Sequence, residues 1–310
     1  GSGGGVAAAL VSSLVSASLR DEQALITLSQ LSCNVDPSTL DARGVATILL
    51  GFAVLNYRDP ALVSHLSTLL SRVPIDAVSP QAASNVAWSC AVHEVVDPRL
   101  LAWVWRCLDK HIGGMPVSGL SQVHQFLLYC RIHNITKADI LTSYYDQDLS
   151  GELLSQVSDR EELIERRCLD SFVLSARSER REGSHLQREV ASVLKDVAGE
   201  IFEDLKGVPA EEWLRQEHID RGSGYSFDLY VPDRGLVVEV DGPSHFVTSV
   251  TISKEEGMRQ ERETPNGKTA MKRRQLRQLG KTVVSVPYWD WPEQRDTQAA
   301  YLSRLLRESM

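Results

Sequence analysis

No stretch of this sequence reaches the about 18 consecutive apolar residues that a membrane-spanning helix needs, so no such helix is expected within it. Cysteine is scarce and scattered. Cys33, Cys90, Cys107, Cys130 and Cys168 contain no CxxC pair, so neither a disulfide framework nor a zinc site fits them. They read as buried thiols in a reducing compartment, where free cysteine acts as a small core hydrophobe. Net positive charge is missing as well: 33 Lys/Arg against 41 Asp/Glu give −8, which argues against a generic DNA-coating protein. No basic residues precede the Ala/Ser/Val-rich run Val6 to Leu19, so it reads as a first helix rather than a signal peptide. Any targeting peptide is expected to have been removed or to lie outside this sequence, and Gly1 to Gly5 read as a frayed end.

The 310 residues are enough for two domains with separate cores, and 43% hydrophobic with 24% charged residues is ordinary for a globular chain. Charge is unevenly placed. Residues 1–176 hold 12 Lys/Arg against 18 Asp/Glu, a balance of −6. Thr264 to Ser285, by contrast, holds six basic residues and no acid: Lys268, Lys272, Arg273, Arg274, Arg277 and Lys281. A basic stripe on an acidic chain predicts a directed contact with a polyanion.

The first half repeats itself. Phe52-Ala-Val-Leu-Asn-Tyr-Arg-Asp-Pro-Ala-Leu62 aligns with Cys90-Ala-Val-His-Glu-Val-Val-Asp-Pro-Arg-Leu100 at an offset of 38 residues. Each copy ends an apolar helix (Val45–Leu55, Ala83–Val92), turns through Asp-Pro and starts another (Ala61–Leu70, Arg99–Leu108). Asp caps the incoming helix and Pro suits its first turn. A degenerate third copy runs Leu120 to Tyr129. Helix pairs at such a period predict an α-solenoid, each pair burying its face on its neighbours. The pattern resembles the octotricopeptide and heptatricopeptide repeats of algal and apicomplexan organellar proteins.

The expected organisation is a helical-repeat domain over residues 1–136, a charged connecting helical segment over 137–183 (with Asp146, Asp148 and Ser150) and a second domain over 184–310 ending in a helix. Ser184 caps a helix with apolar positions Leu186, Val190, Val193, Leu194 and Val197. Three strands are predicted, Tyr225–Val231, Leu236–Asp241 and Lys281–Pro287, the second apolar enough to be central. Thr269 to Leu279 reads as a helix with Met271 and Leu276 inward and its basic residues outward.

Asp228, the run Glu239-Val-Asp-Gly-Pro-Ser-His-Phe246, Asn266-Gly267, Lys272-Arg-Arg274 and Pro287-Tyr-Trp-Asp-Trp291 together resemble the RAP domain, shared by FAST-kinase-family mitochondrial proteins. The resemblance covers about Tyr225 to Trp291 and implies a restriction-endonuclease-like (Vsr-type) α/β fold, organellar RNA work and a mitochondrial location, with the plastid as alternative. The fold class expected for the whole is therefore an α-solenoid followed by this α/β module.

Spacing makes a PD-(D/E)xK-type nuclease the rival reading. Such a site takes two carboxylates on adjacent strands, here Asp228 and Glu239, to hold Mg2+, and a lysine two residues after the second to help the attacking water. Asp241 stands at that lysine's position. His245 is the candidate general base and Glu189 a further ligand. The leading reading is noncatalytic: no metal or cofactor, with Lys268, Lys272, Arg273, Arg274, Arg277 and Lys281 on phosphates and Tyr288 and Trp289 (or Trp291) under bases. One of the Trp residues is expected to close the core instead. Three helix pairs at about one base per repeat are too few to choose a transcript. The helices are therefore expected to bind neighbouring proteins, in a ribonucleoprotein such as the mitochondrial ribosome, with ribosomal RNA as a possible partner and no membrane. The remaining reading is a pure protein–protein scaffold.

Overall fold

The computed structural model describes residues 3–34, 41–145, 151–179, 183–252 and 259–309. Asp146, Asp148 and Ser150 lie outside them. In chain order the elements begin with α1 (Gly3–Ser16), β1 (Leu19–Asp21), α2 (Glu22–Asn34), α3 (Ala42–Val54) and α4 (Pro60–Leu70). Helices α5 (Pro80–His93), α6 (Pro98–His111), α7 (Val117–Ile132), α8 (Lys137–Tyr145), α9 (Gly151–Glu179), α10 (His185–Ile201) and α11 (Ala210–Trp213) follow. The chain closes with β2 (Arg215–Ile219), β3 (Ser226–Val231), β4 (Leu236–Asp241), β5 (Phe246–Ile252), β6 (Arg259–Pro265), α12 (Gly267–Gln278), β7 (Thr282–Pro287) and α13 (Arg295–Ser309). Among the described residues no helix is long and apolar enough to cross a membrane.

Two compact units result: Gly1–Phe172 with Phe246–Met271, and Val173–His245 with Lys272–Met310. In the first, α1, α3, α5 and α7 pack side by side in one row, and α2, α4, α6 and α8 in another. Gly51 on α3 lets α1 approach, because a Cβ there would collide with Val11.

The local chemistry of the pairs recurs. Asp59 accepts from the Ala61 and Leu62 amides at 3.0 Å ahead of Pro60, and Asp97 accepts from Arg99 at 3.0 Å ahead of Pro98. Asp21 caps α2 in the same way through Ala24 at 2.9 Å. The outgoing helices also end alike. Ser18, Asn56, Glu94 and Asn134 all take left-handed φ, 50° to 54°, at spacings of 38, 38 and 40 residues. After three of them the chain bonds back to the helix, Tyr57 to Phe52, Val95 to Cys90 and Ile135 to Cys130, at 2.8 to 3.0 Å. The described residues thus hold four helix pairs where the sequence reading found three. The missed copy is Ser18-Leu-Arg-Asp21, aligned with Asn56-Tyr-Arg-Asp59.

The first unit also contains a sheet that the sequence did not announce, with order β1-β5-β6, β1 parallel to β5 and β5 antiparallel to β6. Asn56 anchors the end of β6 through its amide, 3.1 Å from the Pro265 carbonyl. All five cysteines are free thiols, and Cys90, Cys107, Cys130 and Cys168 are buried, as the sequence predicted. Burial holds the Cys107 and Cys168 thiols up at about 12.

The second unit is a mixed sheet of order β2-β3-β4-β7, antiparallel except for the parallel pair β4–β7. The three predicted strands are present, and β2 is added at the edge. Every residue of β4 is buried. Its alternation divides it by face: Leu236, Val238 and Val240 join a core with Val190, Leu194 and Val197 of α10 and Leu302 and Leu306 of α13. Glu239 and Asp241 lie on the opposite face. The Ser184 cap is a full capping box, since Gln187 donates to Ser184 Oγ and accepts from the Ser184 amide.

Candidate functional site

The acids on the second face of β4 meet cations from α12. Lys272 Nζ lies 2.5 Å from Glu239 Oε2 and donates to the Ser226 carbonyl at 2.7 Å. Arg273 Nη2 lies 2.5 Å from Asp241 Oδ2 and 2.7 Å from Ser285 Oγ, and Ser285 donates to the same carboxylate at 2.6 Å. His245 Nδ1 stands 3.1 Å from Asp241 Oδ1. Asp228, on β3, accepts from Gln187 Nε2 and from the Val240 amide, both at 2.7 Å. The structure brings Asp228, Glu239, Asp241 and His245 together. It adds Gln187, Ser285, Lys272 and Arg273 to them.

A cation does stand beside these acids, Lys272 from a helix, while Asp241 keeps the strand position where a PD-(D/E)xK pattern has its lysine. The arrangement corrects one expectation. The basic residues of α12 are not all outward: Lys272 and Arg273 side chains are only 18% and 13% exposed. Of the rest, Arg277 is exposed and donates to the Val283 carbonyl at 3.3 Å. Lys281 donates to Tyr230 Oη at 2.9 Å and lies 5.0 Å from that ring's centroid. Lys268 is exposed and Arg274 partly covered. Glu189 pairs with His185 at 3.5 Å.

The carboxylates differ because their surroundings differ. Burial dominates at Glu239 and, with the charge of Asp228, pushes its carboxyl up to about 7 against the pull of Lys272. Its Oε1 is buried and has no hydrogen-bond partner among the described residues. Asp228 is likewise raised by burial, against Lys272 and the Val240 amide. At Asp241 burial also raises the pKa, yet the His245 hydrogen bond, the Arg273 charge and the Ser285 hydroxyl together bring it down to about 2.

The donor set does not suit Mg2+. Both Asp228 oxygens accept hydrogen bonds, Glu239 Oε2 is held by an ammonium, and Asp241 is saturated by three donors. Among the described residues no group of three His, Cys, Asp or Glu is placed to hold a metal.

At the carboxyl ends of the parallel strands β4 and β7, Asp241 pairs in register with Pro287, and the Tyr288 amide donates to the Asp241 carbonyl at 3.0 Å. Tyr288 and Trp289 follow at 40% and 42% exposure, their rings edge-to-face at 5.0 Å. Trp291 turns back against the core and Tyr301, so one tryptophan does close the core. Strand ends of this kind are where open α/β sheets present ligand-binding groups.

Comparison with known proteins agrees with the resemblance read from the sequence. Over 226 residues, 72% of this chain, it is 26% identical to the RAP domain-containing protein, chloroplastic, of Oryza sativa subsp. japonica. The chain spans only 29% of that relative's length. Residues 238–305, from β4 into α13, match the RAP domain family, and the chain carries a RAP domain there beside its helix pairs.

Proposed function

We propose that this chain is a noncatalytic organellar RNA-binding protein whose RAP domain contacts single-stranded RNA at the carboxyl ends of β4 and β7. The observation that carries the reading is the exposed pair Tyr288 and Trp289 at that sheet end. Large aromatics exposed together beside a strand end offer faces to unstacked bases, and RAP domains are associated with RNA in organelles. Within this unit phosphate contacts fall to Arg277, the exposed member of the basic stripe, rather than to Lys272 and Arg273. The helix pairs bind neighbouring proteins in a ribonucleoprotein, such as an organellar ribosome. Four pairs at about one base each remain too few to select a transcript, and residues 1–176 are acidic. The sequence resemblance implies the mitochondrion; the chloroplastic relative weighs toward the plastid. Fluorescence anisotropy with single-stranded RNA tests the proposal. Tyr288→Ala with Trp289→Ala is expected to weaken binding at least about fivefold, since stacking is worth ~1–3 kcal/mol per base. Unchanged affinity in the folded double variant removes the strand-end platform.

A nuclease remains the second reading because of one observation: Lys272 beside Glu239 and Asp228 restores the cation that the sequence pattern lacked.

A further inference from the structure

The three-stranded sheet of the first unit sets two arginines on one rung. Arg20 of β1 pairs in register with Ser249 of β5, and Ser249 pairs with Arg262 of β6. Residues on one rung share a face, and two strand spacings of ~4.8 Å put the outer two about 10 Å apart. Ser249 between them is 3% exposed. Arg20 is half-buried with its guanidinium carbon 5.6 Å from the Tyr57 ring centroid, and Arg262 is exposed. Neither guanidinium has an ion pair or hydrogen bond among the described residues. The acids on β6 point away: Glu261 and Glu263 alternate to the opposite face, where Glu263 accepts from Thr248 at 3.1 Å. Burial and the neighbouring Arg262 lower the Arg20 pKa, while Glu22 and Tyr57 act the other way. Two like charges thus share one face of a small sheet, with Glu22 acting on Arg20 and no acid paired with either guanidinium among the described residues.

We propose that Arg20 and Arg262 form a two-pronged phosphate-binding site for the backbone of single-stranded RNA, with the Tyr57 ring steadying Arg20. A phosphate between two guanidinium forks accepts from both, and the forked geometry suits it better than an ammonium would. This rests on the RNA-binding reading but not on the aromatic strand end. It assigns to the helix-pair unit a nucleic-acid contact of its own.

The test is binding of labelled single-stranded RNA to the full chain over a salt series. In Arg20→Gln with Arg262→Gln, the dissociation constant is expected to rise about tenfold. The slope of log affinity against log salt should shrink by ~1.4, at about 0.7 per phosphate contact on single strands. The Arg20→Lys, Arg262→Lys protein should keep the slope and still bind more weakly. Wild-type binding that both double variants share, in affinity and slope, overturns the site and leaves the RNA reading standing. Absence of wild-type binding to any RNA overturns the reading and the site together. Retention of an acidic peptide, abolished by the Gln pair while RNA binding is untouched, overturns the site in favour of a protein carboxylate. If the Gln pair lowers the thermal midpoint, the Lys pair decides, and unaltered affinity there sinks the proposal.

Discussion

Lys272, on α12, sets its ammonium 2.5 Å from a carboxylate oxygen of Glu239 on β4, one residue before Arg273 does the same for Asp241. Two consecutive helix residues therefore neutralise two alternate residues on one face of the central strand. The parallel β4–β7 pair makes this possible, since α12 lies in the connection between those strands. The basic stripe of the sequence is partly the inner counter-charge of the acidic run.

The stability of the second unit should depend on that counter-charge. Arg273→Met removes a guanidinium from Asp241, which is 1% exposed, and leaves that buried carboxylate with Ser285 and His245 alone. Breaking one side of a buried pair costs about 3–5 kcal/mol. Arg277→Gln, an exposed residue with one 3.3 Å bond, should cost at most about 1 kcal/mol. Urea unfolding of the two variants compares them. Equal midpoints would show that Arg273 is a surface cation after all.

What could be read in advance was local. The Asp-Pro turns, the Ser184 cap and the alternation of Leu236 to Asp241 each act within a few residues, and each element formed where predicted. The first repeat lacks the Asp-Pro signature, since Asp21 is followed by Glu22 rather than proline, although Asp21 caps its helix all the same. Strand β6, Arg259–Pro265, has no apolar alternation to reveal it, and β1 has three residues. That Lys272 and Arg273 turn inward together has no local signal. Their partners stand more than thirty positions earlier in the chain and meet them only through sheet topology.

Protonation should shift stability in two windows. The Glu239 carboxyl is raised from 4.5 to about 7, so its contribution is fully present below pH 4.5 and is lost as pH rises through about 7. Asp241 is lowered from 3.8 to about 2, so its contribution is present above pH 3.8 and is lost as pH falls through about 2. Glu239→Gln should flatten the decline between about pH 4.5 and 7, and Asp241→Asn the decline below pH 3.8. Denaturation midpoints over a pH series report both. Parallel curves for wild type and Glu239→Gln would return that carboxyl to the ordinary range.

The left-handed helix ends give a prediction of opposite sign. Glu94 holds φ 53°, a conformation that costs a residue with a Cβ about 1 kcal/mol and glycine little. Its ion pair with Arg58, itself 58% exposed, returns little of that. Glu94→Gly should therefore raise stability by up to about 1 kcal/mol, whereas Glu94→Val should lower it. Asp97→Ala, which removes a cap, should cost about 1 kcal/mol. Thermal melts of the three proteins settle the order, and a destabilised Glu94→Gly protein would mean that the side chain matters more than the backbone.

With Mg2+ or Mn2+ added, the purified chain is expected not to cleave single- or double-stranded nucleic acid above background. A missing cation is not the obstacle, because Lys272 is present. The obstacle is engagement. Lys272 is committed to Glu239 and the Ser226 carbonyl, Asp228 accepts from Gln187 and Val240, and Arg273, Ser285 and His245 occupy Asp241. To hold a metal, Asp228 and Glu239 would have to give up those partners, and hard cations take several free oxygen ligands. A scissile phosphate would then meet three carboxylates with their counter-charges displaced. The contrary result is clear-cut: metal-dependent cleavage present in wild type and absent from both Asp228→Asn and Glu239→Gln, each with an unchanged circular dichroism spectrum. In that case the buried, unpartnered Glu239 Oε1 would be the first ligand to examine, with Lys272→Met separating a role in chemistry from one in folding.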